Sequence, residues 1–376
     1  MSPATALQDV LDALTAEGEL FERLPDGKLR CFACGHRCLI FPGQRGICRV
    51  RYNDGQTLRV PFGYVAGIQS DPVEKKPFFH VMPGSNALTF GMLGCDFHCS
   101  YCQNWITSQA LRDEAAVAPA HSITPQRMVQ IAQETGARLV VSSYNEPLIT
   151  AEWAAAVFRR ARAAGLVTGF VSNGNATPEA LDYLQPLTDC YKVDLKSMRQ
   201  KNYRVLGGVL KHVLWTLEAL YERGFWVEAL TLVVPGFNDS EAELRDAAQF
   251  IAGISPDIPW HVTAFHKNYK MTEPGNTTAR MLIRAAEIGA AAGLRYVYAG
   301  NRPGEVGRWE NTYCPSCQTL LVERLGYVIL SYHLTGQGTC PGCGTRIPGI
   351  WPESPETVQV GLSADTWRRR PFPVRF

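Results

Sequence analysis

The chain is predicted to be an α/β protein whose core is a partial barrel of the (β/α)6 type, with an N-terminal cysteine-rich module and a C-terminal ribbon added to it. Three observations predict this. From Asn86 onward, apolar runs of strand length alternate with amphipathic helical segments. The chain has 376 residues, enough for a barrel with appendages. Eleven of its 12 cysteines fall into three tight clusters.

The alternating part predicts strands at 87–92, 138–143, 166–172, 190–195, 226–234, 260–265 and 295–299. Helices are predicted near 124–136, 151–164, 177–186, 211–223, 240–253 and 277–292. Repeated strand–helix units imply parallel strands joined by right-handed crossovers. A doubly wound sheet has the same periodicity and remains an alternative. In either fold the site belongs at the C-terminal ends of the strands. Residues 1–85 form the N-terminal module, opening with a helix and a hairpin that turns at Pro25-Asp26-Gly27. The barrel spans 86–305, the ribbon 306–352 and an extended tail 353–376.

Hydrophobic residues make up 46% and charged residues 19%, and the formal net charge is +2. That near-neutrality argues against a nucleic-acid partner, because phosphate binding needs a concentrated basic face. Arg368, Arg369 and Arg370 are the one sharp basic run, read as a solvated end. The first 20 residues have neither a basic start nor an unbroken apolar stretch, and no window has the length of a membrane span. A cytoplasmic protein is expected. Clustered cysteines in a reducing compartment are metal sites more often than disulfides.

The central cluster reads Gly94-Cys95-Asp96-Phe97-His98-Cys99-Ser100-Tyr101-Cys102. Three thiolates at this spacing can hold three corners of an iron–sulfur cubane and leave the fourth iron open. An open position is what makes a metal centre catalytic. A zinc knuckle is disfavoured because no fourth cysteine lies nearby. The N-terminal cluster, Cys31, Cys34, Cys38 and Cys48, offers four thiolates within 18 residues, suited to zinc or to an auxiliary [4Fe–4S] cluster. Cys314, Cys317, Cys340 and Cys343 form two knuckles around a strand-like stretch, the pattern of a zinc ribbon with structural Zn2+. Cys190 stands alone at the start of a strand and is expected in the core. Alternation puts Asp194 and Lys196 on one face at the end of the fourth strand, and His266 ends the sixth.

Gly91 to about Gly300 resembles the radical S-adenosylmethionine (SAM) superfamily, whose cluster motif places an aromatic residue, here Tyr101, before the last cysteine. The resemblance implies a [4Fe–4S] cluster that cleaves SAM to methionine and a 5′-deoxyadenosyl radical. It further implies that Glu146, in Tyr144-Asn145-Glu146-Pro147, serves the methionine ammonium with neighbouring backbone, and that Tyr101, Asn145, Ser172, Asn173 and Val234 contact the cofactor. Asp194, Lys196 and His266 match residues that glycyl-radical activating enzymes set beside their substrate. Over its full length the chain resembles the radical enzymes of the AmmeMemoRadiSam system, related to pyruvate formate-lyase activating enzyme. The matching pieces include Asp71-Pro-Val-Glu-Lys-Lys-Pro77, Gly94–Trp105 and Ile347-Pro-Gly-Ile-Trp351. This resemblance implies reduction by flavodoxin or ferredoxin and association with Memo-like and AMMECR-like proteins. Three functions compete: a radical enzyme acting on a small molecule or protein, a glycyl-radical activase, and a non-enzymatic iron–sulfur or zinc carrier.

Overall fold

The computed structural model describes residues 3–361 and 372–373. Its centre is a nine-stranded sheet. Seven strands are parallel and hydrogen-bonded in chain order: Asn86–Gly91, Ala137–Ser142, Val167–Ser172, Cys190–Asp194, Trp226–Val233, Trp260–Ala264 and Val297–Gly300. All seven were legible as apolar runs. Consecutive order has no point where the winding reverses, so the doubly wound alternative is excluded. Gly67–Pro72 adds antiparallel to Asn86–Gly91, and Phe372–Pro373 pairs with Gln69–Ser70 on its outer edge. The sheet therefore begins before residue 86, a correction to the boundary drawn at 85. The period-two signal was hidden there by Ser70, Asp71 and Pro72, which are buried polar or strand-ending residues.

Helix starts follow local chemistry. Thr124, Thr177, Ser240 and Thr278 each accept a hydrogen bond from the backbone N–H three residues on, which satisfies a donor that the first turn cannot. Pro125 and Pro178 then occupy the first helical position, where a missing N–H costs nothing. A short helix at Gln200–Leu206 lies between expected elements and was not predicted.

Alternation divides each strand between two cores. Tyr191, Val193, Ala229 and Val262 face the main helix-packed core. On the other face, at the N-terminal ends of the strands, the connector after Pro72 packs Val73, Phe78 and Val81 against Ala87, Leu139, Val141 and Cys190. Glu228 fixes this connector: its carboxylate accepts from the backbone N–H groups of Phe79 and His80, from Trp226 Nε1 and from His261 Nε2. Burial opposes ionisation of Glu228, but His261, His80 and Trp226 together outweigh it and lower the pKa. The connector thus packs the lower half of this face of the sheet.

The C-terminal module is a three-stranded antiparallel sheet, Thr312–Tyr313, Leu320–Leu325 and Val328–Tyr332. It is bolted to the connector: Arg324 donates to the Phe79 carbonyl, and Ile350 N–H to the His80 carbonyl. At the other end Phe21–Arg23 and Leu29–Cys31 form the expected hairpin around Pro25–Gly27. The predicted tail from 353 is described to Gly361, whose N–H bonds the Ile329 carbonyl. Its arginine run, Arg368–Arg370, lies outside the described residues.

Candidate functional site

A cavity of about 290 Å³ opens at the C-terminal ends of the strands. Cys99, Tyr101 and Cys102 line it from the loop after Asn86–Gly91, and Asp194 and Lys196 from the end of Cys190–Asp194. Five residues picked out in the sequence thus meet in one space. Gly94 starts the loop at φ +95°, a conformation costly for side-chain-bearing residues. A Cβ there would also stand 2.9 Å from a Val50 methyl and 3.2 Å from the Cys48 carbonyl. Gln109 and Arg112 both donate to the Phe97 carbonyl, which fixes the middle of the loop.

Asp194 sits between two ammonium groups, Lys192 and Lys196, the latter at 3.2 Å. Burial works against its charge, yet the two lysines hold its pKa down to about 2. Lys192 was missed in the sequence, although period two from Asp194 places it on the same face. Lys75 and Lys76 of the connector also reach the cavity. Both pair with Asp71, Lys75 at 2.8 Å, and Lys76 donates to Tyr144 Oη at 3.2 Å. Burial draws the Lys76 pKa down to about 8 against the pull of Asp71. Four lysines therefore share two aspartates. Tyr327, at the tip of the C-terminal hairpin, completes one wall.

The other predicted residues stand behind this surface. Glu146 accepts from Ser172 Oγ at 2.7 Å, Asn173 N at 2.7 Å and Leu148 N at 3.0 Å, so its carboxylate is spent inside the fold. Burial and then nearby Asp96 push its pKa up to about 8. Asn173 Nδ2 donates to Asp96, and Asn145 Oδ1 accepts from Met92 N, tying both strand-end loops to the cysteine loop. Val234 is buried and donates to Asn238 Oδ1. His266 is exposed, 3.2 Å from Gln103, which does line the cavity; it is at the rim. His261 is buried against Glu228, away from the opening. Cys190 is in the core, as expected.

The cysteine groups differ in spacing. Cys314, Cys317, Cys340 and Cys343 present sulfurs that all lie within 4.8 Å of one another, including Cys314–Cys343 at 3.5 Å and Cys317–Cys340 at 3.6 Å. Four thiolates around one ion with bonds of about 2.3 Å would be about 3.8 Å apart. The Thr319 hydroxyl holds the Cys317 thiol down to about 6, favouring the thiolate a metal needs. Among the described residues no other group of three or more possible ligands is gathered so tightly. Burial pushes Cys99 up to about 12 and raises Cys95 and Cys102, so these thiols need a bound cation to become ligands. Cys99 is buried, Cys95 and Cys102 are partly covered, and Cys99 and Cys102 face the cavity, an arrangement that suits a cubane with one open iron.

Residues 90–248 match the Radical SAM superfamily. An uncharacterized protein of Methanocaldococcus jannaschii is 34% identical over 334 residues, covering 88% of this chain and 98% of its own. Pyruvate formate-lyase 1-activating enzyme of Escherichia coli is 26% identical over 202 residues, 51% of this chain and 80% of that enzyme. Among solved structures, a radical SAM methyltransferase from Sphaerobacter thermophilus aligns over 84% of this chain and 85% of its own at 14% identity, with a TM-score of 0.46. Among the described residues no helix is long and apolar enough to cross a membrane. With their cysteine loop at the cavity, residues 90–248 form a radical SAM superfamily domain, and the protein is an enzyme.

Proposed function

We propose that Cys95, Cys99 and Cys102 hold a [4Fe–4S] cluster at the cavity and that the enzyme uses it to abstract hydrogen from a substrate bound beside Asp194 and Lys196. One observation carries this reading: Cys99 and Cys102 open onto the same space as Lys192, Asp194 and Lys196. When bound, the cluster supplies one electron to SAM, which yields methionine and a 5′-deoxyadenosyl radical. The chain's own residues bind and orient. Tyr101 contacts the cofactor from the cavity wall, while Asn145, Glu146, Ser172, Asn173 and Val234 act as positioning residues that fix the strand-end loops. His266 works from the rim through Gln103.

The substrate class follows from charge. Among the described residues, Lys75 and Lys76 form ion pairs with Asp71, and Lys192 and Lys196 with Asp194; Lys76 and Lys192 are almost unexposed. Buried cations in excess demand an anionic ligand. A carboxylate- or phosphate-bearing molecule suits this wall better than the uncharged backbone of a glycyl-radical loop, so the activase is the second reading. We assign the chain to the AmmeMemoRadiSam type, with its partial barrel, a Zn2+ ribbon at Cys314, Cys317, Cys340 and Cys343, Memo-like and AMMECR-like partners, and a cytoplasmic location. In an anaerobic assay with a strong one-electron reductant and SAM, the protein should release 5′-deoxyadenosine. Undiminished release by Cys99→Ala would defeat the reading.

A further inference from the structure

The contrast in spacing between the cysteine groups bears on what the N-terminal module holds. Cys31 is within electrostatic reach of Cys34, Cys38 and Cys48, so the four thiols form one site. Yet, unlike the C-terminal four, no three of them are drawn together within 4.8 Å. A single tetrahedral zinc requires sulfurs about 3.8 Å apart, whereas a cubane spreads its thiolates over separate irons. Cys31, Cys34 and Cys48 are buried, and the charged Arg51 guanidinium, also buried, lies within reach of Cys31 and Cys48.

The module also abuts the catalytic loop. The Cys48 carbonyl packs on Gly94, Arg112 bridges the carbonyls of Ile47 and Phe97, and the His36 ring stands edge-on to Phe97. Asp96, inside the catalytic cysteine motif, is within electrostatic reach of both Cys34 and Cys95. Cys38 is the least covered of the four, and Leu39, Phe41 and Ile47 near it in the chain are exposed apolar residues.

We propose that Cys31, Cys34, Cys38 and Cys48 bind a second [4Fe–4S] cluster, which accepts one electron at the Cys38 side and passes it to the cluster on Cys95, Cys99 and Cys102. The electron comes from a low-potential one-electron carrier of the flavodoxin or ferredoxin class. The carrier is oxidised by one electron, the second cluster is reduced and then reoxidised, and no bond to the protein changes. The inference rests on the proposed function only for its electron acceptor; the second cluster itself stands or falls separately.

The test uses the full chain reconstituted anaerobically. Wild type should contain about eight irons per chain, two cubanes of four. With Cys95, Cys99 and Cys102 all replaced by Ala, about four should remain, with a reduced-state electron paramagnetic resonance signal that SAM does not alter. Two zincs and no iron in that variant, one beyond the ribbon's, would overturn the proposal. Cys38→Ser should lower the ratio of flavodoxin-driven to chemically driven SAM cleavage at least tenfold, and an unchanged ratio would refute the electron route. If Cys38→Ser fails to fold, the triple variant still decides between iron and zinc. A failure of the proposed function would look different: the triple variant would keep SAM cleavage.

Discussion

Glu152→Gln tests how the cysteine module is held to the strand–helix domain. Arg51 and Glu152 form a fork-to-fork pair, with both N–O distances 2.7 Å and both side chains at most 3% exposed. Arg51 also donates to the Ile149 carbonyl, and Glu152 accepts from the backbone of Glu19 and Leu20. Gln keeps the shape and one acceptor but removes the charge, leaving a buried guanidinium uncompensated. One lost charge-assisted bond accounts for about 1.5–3 kcal/mol, and stranding the partner raises the total to about 3–5 kcal/mol. Replacing both residues by Leu removes the stranded charge and should recover most of the loss. The assay is the urea midpoint at pH 7, read by tryptophan fluorescence. A loss below about 1 kcal/mol for Glu152→Gln, or a double variant worse than the sum of its singles, would refute this reasoning. The pKa of Glu152 is lowered, since Arg51 outweighs the effect of burial. Its contribution is therefore present above the unfolded carboxylate range and lost as pH falls through the lower folded value.

Cys317→Ser should reduce zinc by about one ion per chain and lower thermal stability while the iron spectrum stays unchanged; parallel loss of both metals would show that the modules are misassigned. Lys76, held down to about 8 by burial, should lose its charge as pH rises through that value. Inorganic phosphate, as a competitor for the cavity, should therefore inhibit SAM cleavage less above pH 8 than at pH 7, and Lys76→Met should flatten the profile. Its folded pKa lies below the unfolded one, so the same deprotonation makes stability rise between about pH 8 and 10.5, checked by the urea midpoint. Lys192→Met should weaken phosphate inhibition several-fold, with the inhibition constant as the readout.

What the sequence revealed was whatever repeats or clusters along it. The seven parallel strands announced themselves because each is a short, mainly apolar run, and the three cysteine groups because their spacings are short. Asp194 and Lys196 were legible because period two places neighbours on one face. The connector residues were not. Lys75 and Lys76 reach the cavity only because Phe78 and Val81 plug the sheet and Glu228 clamps Phe79 and His80, contacts across about 150 residues of chain. Tyr327 likewise arrives from the distant C-terminal module. Glu146 shows the converse: its strand-end position suggested a cavity-facing carboxylate, but hydrogen bonds from Ser172, Asn173 and Leu148 hold it in the wall.

The most direct test of the central claim is electron paramagnetic resonance with hyperfine detection on the reduced protein, with SAM whose methionine carboxylate carries a magnetic oxygen isotope. If Cys95, Cys99 and Cys102 leave one iron open to the cosubstrate, the oxygen nucleus should couple to the cluster spin. That coupling should vanish in Cys99→Ala. A reduced cluster in the wild type that shows no coupling to bound SAM would contradict the account.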